Sequence, residues 1–188
     1  MDPAVIVVVM VLVAMLLAAC SIYNRLVRGR VLVREGFSGI DVQLKRRHNL
    51  IPNLIKTVKS YADFERSVLN DVTRLRTQAI DDQSVGEKQR NESALSGALR
   101  SLFAVAENYP ELKSNANFLE LQKQLSEIED VLQKARRYYN GTVRNYNTRV
   151  QTFPSNLVAR LFVFDNEEFF EMDNESERAV PDAKLKDW

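Results

Sequence analysis

The sequence predicts an all-α protein, an antiparallel helical bundle of three to four long helices preceded by an N-terminal transmembrane helix. Three observations lead to this prediction. An unbroken apolar run opens the chain, apolar residues elsewhere recur at helical spacing, and glycine and proline are few, at six and five of 188 residues. We expect a membrane anchor over residues 1–24, a helical bundle over 25–164 and an acidic, partly disordered tail over 165–188.

The apolar run from Ala4 to Cys20, extended by the next three residues, reaches about 20 residues and is long enough to span a hydrocarbon core of about 30 Å. No basic residue precedes it. Four arginines follow it closely: Arg25, Arg28, Arg30 and Arg34. The positive-inside rule then places the N-terminus outside and the body in the cytoplasm, at the inner membrane. The four arginines are candidate contacts to the membrane surface.

A second interpretation of this segment stays open. Leu17-Ala18-Ala19-Cys20 has the form of a bacterial lipobox, whose cysteine is acylated after cleavage and whose body lies outside the cytoplasm. The missing basic residues before the run and the arginines after it both oppose export. Cys20, the single cysteine of the chain, is therefore a candidate lipidation site in this alternative.

Helical spacing continues past Tyr23 through Val33, Phe37, Ile40 and Leu44, so the anchor can pass directly into the first bundle helix. Three glycines lie in the same stretch: Gly29, Gly36 and Gly39. Each weakens a helix by roughly 1 kcal/mol relative to alanine, which allows a hinge near the membrane. The last two can instead let another helix approach closely, and both interpretations stay open.

Proline residues mark predicted helix boundaries in the rest of the bundle. Pro52 predicts a kink or a restart of the helix, with Asn49 as a candidate N-cap, because proline removes a backbone donor and crowds the preceding turn. One apolar seam covers residues 51–79 and another covers 95–106. A turn at Asn108-Tyr109-Pro110 ends the seam over residues 95–106, and a long helix is predicted after the turn.

A long helix is predicted from roughly Leu112 to Thr152, about 60 Å in length. Its apolar stripe follows steps of three and four, as in a coiled coil. The stripe consists of Phe118, Leu121, Leu125, Ile128, Leu132, Ala135, Tyr139, Thr142, Tyr146 and Val150. Other helices must cover this stripe. Acidic residues outside it, such as Glu129, are expected on the solvated face.

A short apolar segment follows the long helix. Residues 153–156 interrupt the helical pattern, and Ser155 can cap a segment from Leu157 to Phe164 that is apolar on most sides. Such a segment must pack on the bundle, sit in a partner or lie on the membrane surface. Packing on the bundle is the simplest of the three.

The residue types give little support for an enzyme. The single histidine, His48, lies in a basic run with Lys45 three residues before it, so the Glu-x-x-His ligand pair of di-iron bundles is absent. A phosphate-binding glycine loop is also absent. We expect no catalytic activity, no cofactor, no metal and no small-molecule substrate. The net charge of +1 argues against nucleic acid as a partner.

Several stretches resemble the LemA family. They include residues 39–54, 57–62 and 135–140, together with Tyr146-Asn147 and 153–156, and they cover nearly the whole chain in order. The resemblance implies a bacterial or archaeal membrane-anchored protein with a cytoplasmic antiparallel helical bundle, and it carries no catalytic residues. Its candidate structural motif residues are Pro52, Asn53, Arg136, Arg137, Tyr138, Tyr139, Asn140 and Pro154.

These observations favour a non-enzymatic scaffold or adaptor of the LemA type. Its expected partners are the lipid bilayer and either other membrane proteins or further copies of itself. One alternative is a lipoprotein acylated at Cys20 with a binding role outside the cytoplasm. Another is a self-assembling membrane-remodelling protein, favoured by the long rigid helix and by the basic patch around Lys45.

Overall fold

A computed structural model of the chain describes residues 2–61, 65–80 and 84–170. All regular secondary structure in these ranges is helical, which confirms the predicted fold class. The helices are α1 (Pro3–Lys59), α2 (Arg66–Ile80), α3 (Val85–Ala106), α4 (Pro110–Lys113), α5 (Ala116–Gln151) and α6 (Ser155–Leu161). They fall into two compact units: residues up to 60 together with 114–169, and residues 61–113. Most of the predicted tail, residues 171–188, lies outside the described residues.

The first helix joins the anchor to the folded body. α1 has 57 residues, so it is about 85 Å long. Its N-terminal part is exposed and strongly apolar, with a mean hydropathy of 3.1 over 18 residues, and is long enough to cross a membrane. From Leu26 to Val58 the same helix carries a buried stripe. The boundary expected after residue 24 therefore falls inside one continuous helix.

Pro52 lies within α1, and the helix continues to Lys59. The predicted restart with Asn49 as N-cap is therefore wrong. Pro52 is exposed, and it lacks the backbone amide that would donate to the carbonyl of His48 one turn earlier. The buried side chains of Ile51 and Leu54 hold the helix in place on either side of the proline.

α1 and α5 pack against each other as an antiparallel pair, which we call the hairpin although α2, α3 and α4 lie between them in the chain. A Cβ placed on Gly29 would lie 3.1 Å from the Tyr146 ring, and one on Gly36 would lie 3.2 Å from the Tyr139 Cα. Residue numbers thus fall along α5 as they rise along α1. Of the two interpretations of the glycines, close packing is confirmed at Gly36. Gly39 has nothing within 4 Å of its Cβ position and takes no part in this contact.

The predicted stripe on α5 is confirmed for most of its length, but not at Ala135, Thr142 and Val150, which are half-buried. The neighbouring Arg136 and Val143 are buried in place of the first two. At 128, 132 and 136 the buried positions take two consecutive steps of four residues, and they rejoin the predicted stripe at Tyr139. The α1 stripe has the matching pair of steps, at 36, 40 and 44.

The ends of α5 are set by polar side chains. The predicted start near Leu112 is wrong, because the Asn115 side chain accepts a hydrogen bond from the Phe118 amide at 3.1 Å and begins a new helix there. At the other end, the Ser155 hydroxyl lies 2.6 Å from the Arg149 carbonyl oxygen, to which it donates. Ser155 therefore helps to close α5 and does not act as the predicted cap of α6.

The second unit contains a shorter hairpin. α2 and α3 pack along each other, and because only residues 81–84 join them, they run antiparallel. The Ser84 hydroxyl accepts a hydrogen bond from the Glu87 amide at 3.1 Å and caps α3. Both predicted seams contain buried positions, at Leu69, Val72 and Ala79 of α2 and at Leu95, Leu99, Leu102 and Ala106 of α3, whereas Val68, Leu75, Ala98 and Phe103 are only half-buried. α3 also buries the carboxylate of Glu92 completely.

Candidate functional site

A charged cluster lies in the seam between α1 and α5. The buried Arg47 of α1 places Nη1 3.2 Å from Oε2 of Glu129, and Arg136 of α5 places Nη1 3.8 Å from Oε1 of the same carboxylate. The two guanidinium groups are nearly inaccessible, whereas the Glu129 side chain keeps 39% of its surface exposed. Two buried arginines from facing helices thus share one carboxylate as a counter-charge.

This cluster corrects the prediction made for Glu129. Glu129 was expected on the solvated face of the long helix, but it is the counter-charge for Arg47 and Arg136. Arg47 and Arg136 interrupt the apolar pattern of their helices, so hydrophobic spacing alone does not predict that they are buried. Because a one-residue slip between α1 and α5 separates the charges, the cluster specifies register, a role that buried polar groups have in coiled coils.

A second set of contacts fixes the chain after α6. We call residues 164–169 the strap; it lies against α5. The Asn147 side-chain amide donates to the Glu167 carbonyl at 2.8 Å, and its oxygen accepts from the Glu167 amide at 2.9 Å. The Tyr139 hydroxyl donates to the Glu168 carbonyl at 2.7 Å. Arg30 of α1 adds an ion pair to the Glu167 carboxylate at 3.6 Å. Tyr139 and Asn147 therefore hold the strap by its backbone.

The strap also changes the titration of the tyrosines beneath it. Burial, with a smaller contribution from the nearby carboxylates of Glu167 and Glu168, raises the pKa of Tyr139 to about 12. Burial likewise raises the pKa of Tyr146, and Arg30 opposes part of that increase. Both phenols are thus kept neutral, as Tyr139 must be to donate its hydrogen bond.

The end of the hairpin nearest the apolar run is built from aromatic and basic residues. The ring of Tyr23 lies 4.9 Å from that of Phe162 and 5.6 Å from that of Phe164, both at an edge-on angle. Arg149 of α5 donates to the Arg25 carbonyl at 3.4 Å. The end of α5 and the residues after α6 therefore lie level with the last turn of the apolar run.

The four candidate membrane-surface arginines are all exposed on α1. Arg30 makes the ion pair with the strap described above. Arg34 lies about 14 Å beyond Arg25 along the helix axis. A headgroup layer that meets Arg25 is therefore more than one Debye length from Arg34, since that length is about 8–10 Å at physiological salt. Cys20, the candidate lipidation site, is an exposed thiol within α1.

The structure separates the other motif residues into two classes. Arg136 and Tyr139 are buried and make the contacts given above. The others lie at or near the surface: Pro52, Asn53, Arg137, Tyr138, Asn140 and Pro154. Pro154 directly precedes the first residue of α6. The motif thus combines positions that build the hairpin with positions that a partner could reach.

The polar contacts described above are made within the protein itself. Among the residues described, no three metal-ligating side chains cluster in a way that could hold a metal ion. His48 is buried on α1 next to Arg47. Arginine cannot be deprotonated in proteins. In the charged cluster, the two arginines therefore supply fixed positive charge and do not transfer protons.

Comparison with known proteins places these features in a family. A model of the LemA family matches residues 36–184. Protein LemA of Metamycoplasma hominis is 28% identical over 164 residues, which cover 85% of this chain and 73% of that protein. Magnetosome protein MamQ 2 of Paramagnetospirillum magneticum is 27% identical over 160 residues, covering 71% of this chain and 59% of its own length. Magnetosome protein MamQ of Magnetospirillum gryphiswaldense is 24% identical, with 86% of this chain and 69% of its own length covered.

Proposed function

This chain belongs to the LemA family, and from that premise we propose that it is a membrane-anchored scaffold or adaptor without catalytic activity, with its helical body on the cytoplasmic side of the inner membrane. The observation that carries the proposal is the continuity of α1. Its exposed apolar span passes into the seam shared with α5 without a break. A helix of this kind fixes a folded surface at a set distance from a bilayer, as a scaffold requires.

The use of the polar residues supports a role without catalysis. Arg47 and Arg136 both form ion pairs with Glu129 inside the hairpin. Tyr139 and Asn147 bind the strap through its backbone. Groups that an enzyme would direct at a substrate are here directed at the chain itself. The expected partners are therefore the bilayer and either other membrane proteins or further copies of this chain.

The side of the membrane is tested by cysteine accessibility. Val42 is exposed on α1, about 28 Å beyond Tyr23 along the axis. A Val42→Cys variant in a Cys20→Ser background is treated with a membrane-impermeant maleimide. We expect labelling in inverted vesicles and none in intact spheroplasts, with Val11→Cys unlabelled in both. Labelling of Val42→Cys in spheroplasts would place the body outside and contradict the proposed orientation.

The scaffold role is tested by photocrosslinking from the exposed Tyr138. The full chain carries a benzophenone amino acid at this position and is irradiated in native membranes. We expect a discrete adduct with the mass of two copies, or of one copy plus one membrane protein. The matched control, Leu132→Asp, puts a charge into the fully buried seam and should abolish that adduct. Irradiation that yields only the monomer would count against a scaffold.

The lipobox form of Leu17-Ala18-Ala19-Cys20 supports the lipoprotein alternative as a second candidate. The substitution Cys20→Ser separates the two. A transmembrane anchor should stay in the membrane after carbonate extraction, with unchanged mass apart from the substitution. A lipoprotein should lose its acyl chains and be retained as an uncleaved precursor, since the modified cysteine is the cleavage site.

A further inference from the structure

An exposed apolar surface surrounds α6. We call residues 153–163 the apolar lobe. Its large apolar side chains are exposed over 53–78% of their surface; they are Phe153, Leu157, Leu161, Phe162 and Val163. Of the segment that was expected to pack on the bundle, only Ala159 and Phe164 are buried. Five large apolar residues within eleven positions exceed the scattered exposure that is normal for a protein surface.

The position of the apolar lobe indicates what covers it. Phe162 packs against Tyr23, and Tyr23 is the last residue of the apolar run in α1. α5 runs toward that run and ends at Gln151, two residues before Phe153. The lobe therefore begins where the membrane span ends. Tyrosine at this boundary is typical of the membrane–water interface.

The backbone of the lobe adds an independent observation. Val163 has φ = 55°, in the left-handed region, and directly follows the cap residue Phe162 of α6. The Phe164 amide donates to the Ala159 carbonyl at 2.9 Å, which is the hydrogen bond of a Schellman ending. Glycine or asparagine fits this position best, whereas a β-branched residue is strained there. In water Val163 is unfavourable for two reasons: its backbone conformation is strained, and its apolar side chain is exposed to solvent.

The charges around the lobe distinguish a bilayer from a second copy of the chain. No acidic residue occurs between Gln151 and Phe164. Four exposed arginines lie in the lobe, in the last turn of α5 or on α1 just after the apolar run, whereas Asp165 is the first acidic residue after the lobe and carries a single opposite charge; the arginines are Arg25, Arg28, Arg149 and Arg160. Two such ends would repel each other, whereas anionic phospholipid headgroups attract them.

We propose that the apolar lobe inserts into the headgroup–acyl boundary of the bilayer that α1 spans, as a second membrane contact beside the anchor. The proposal rests on the membrane anchoring proposed above and adds to it. Its consequence is mechanical, because a helix held at one span can tilt and rotate, whereas a span with an attached interfacial segment has a fixed tilt and face. The lobe would thus set the orientation of the hairpin relative to the membrane.

The test uses nitroxide labels on the full chain in phosphatidylethanolamine–phosphatidylglycerol vesicles. Single cysteines replace Leu161, Val163, Val42 or Val11 in the Cys20→Ser background. Collisions with oxygen, which concentrates in lipid, are compared with collisions with a water-soluble nickel chelate. We expect the oxygen-to-nickel ratio at 161 and 163 to exceed that at Val42 severalfold, and to approach the ratio at Val11 in the span.

Each other outcome overturns the inference. Nickel access at 161 and 163 equal to that at Val42 would show that the lobe faces water. Protection from both reagents would show that protein covers it, either a second copy or a partner. In both cases a lipid signal at Val11 would leave the anchor in place, whereas nickel access at Val11 would contradict the anchoring itself. A further single-cysteine variant carries its label at the half-buried Val158, and the mobility of that label reports whether the lobe keeps its fold.

Discussion

The Cβ position of Gly36 lies 3.2 Å from the Cα atom of Tyr139, so α1 and α5 approach each other more closely here than side chains would allow. One heptad earlier on α1, Gly29 faces the ring of Tyr146 at 3.1 Å. A repeat of glycines on one helix thus meets a repeat of tyrosines on the other. The same tyrosines lie beneath the strap, which links the closest part of the hairpin to its C-terminal segment.

A larger residue at Gly36 should force the helices apart. We expect Gly36→Leu to lower the free energy of unfolding by about 1–3 kcal/mol, as overpacking does in well-packed cores. The matched control is Gly39→Leu, because Gly39 is an exposed glycine of the same helix with open space around its Cβ position. That control should raise the free energy of unfolding by up to about 1 kcal/mol through helix propensity. Denaturant unfolding of the full chain in micelles measures both, and equal effects would contradict close packing at Gly36.

Loss of Glu129 should remove a counter-charge that two buried guanidinium groups share. We expect Glu129→Ala to cost roughly 2–4 kcal/mol, somewhat below the range for fully buried pairs because the carboxylate is partly exposed. Glu127→Ala is the control, since its pair with Lys123 lies on the surface of the same helix and should contribute less than about 1 kcal/mol. Similar destabilisation by both substitutions in denaturant unfolding would argue against the charged cluster.

The strap should loosen when Asn147 is replaced. Asn147→Ala removes both hydrogen bonds to the Glu167 backbone, so amide hydrogen exchange at residue 167 should become at least tenfold faster. Asn145→Ala, an exposed change two residues away on α5, gains the same helix propensity without touching the strap. Unchanged exchange in the first variant, or equal acceleration in the second, would rule out this attachment.

Alkaline pH should weaken the fold through Tyr139. Its pKa is about 12 in the folded chain and about 10 when exposed, so the folded state favours the neutral phenol. The stability that the neutral phenol contributes is complete below pH 10 and is lost as the pH rises from 10 to 12. Tyr139→Phe should flatten this part of the stability profile. Identical losses for both proteins between pH 10 and 12 would contradict the assignment.

Apolar spacing was sufficient to predict the helices and most of the seam. It identified Leu125 and Leu132 on α5 and Ile40 and Leu44 on α1, because a helix buries one face whatever its partner. It failed at Arg136, because a charged residue is excluded from an apolar stripe unless its ion pair, here with Glu129 two turns earlier on the same helix, is known.

Other features depend on tertiary contacts that local pattern does not encode. Pro52 was expected to kink or restart the helix, and the helix does not restart there, because packing on both sides of the proline overrides the lost hydrogen bond. Gly36 and Gly39 are equivalent by sequence, and only the position of α5 distinguishes them. The motif pair Tyr146-Asn147 gave no sign of the strap, since the bonds of Asn147 go to a backbone twenty residues away.

The central claim is that α1 crosses the bilayer and continues as one helix into the hairpin with α5. Hydrogen exchange of the full chain in nanodiscs tests it most directly, read across residues 24–40, where the helix leaves the membrane and passes Gly29, Gly36 and Gly39. The account predicts slow exchange throughout this range, continuous with that of the span. A stretch of fast-exchanging amides between the span and Val33 would show a separate, hinged anchor and contradict it.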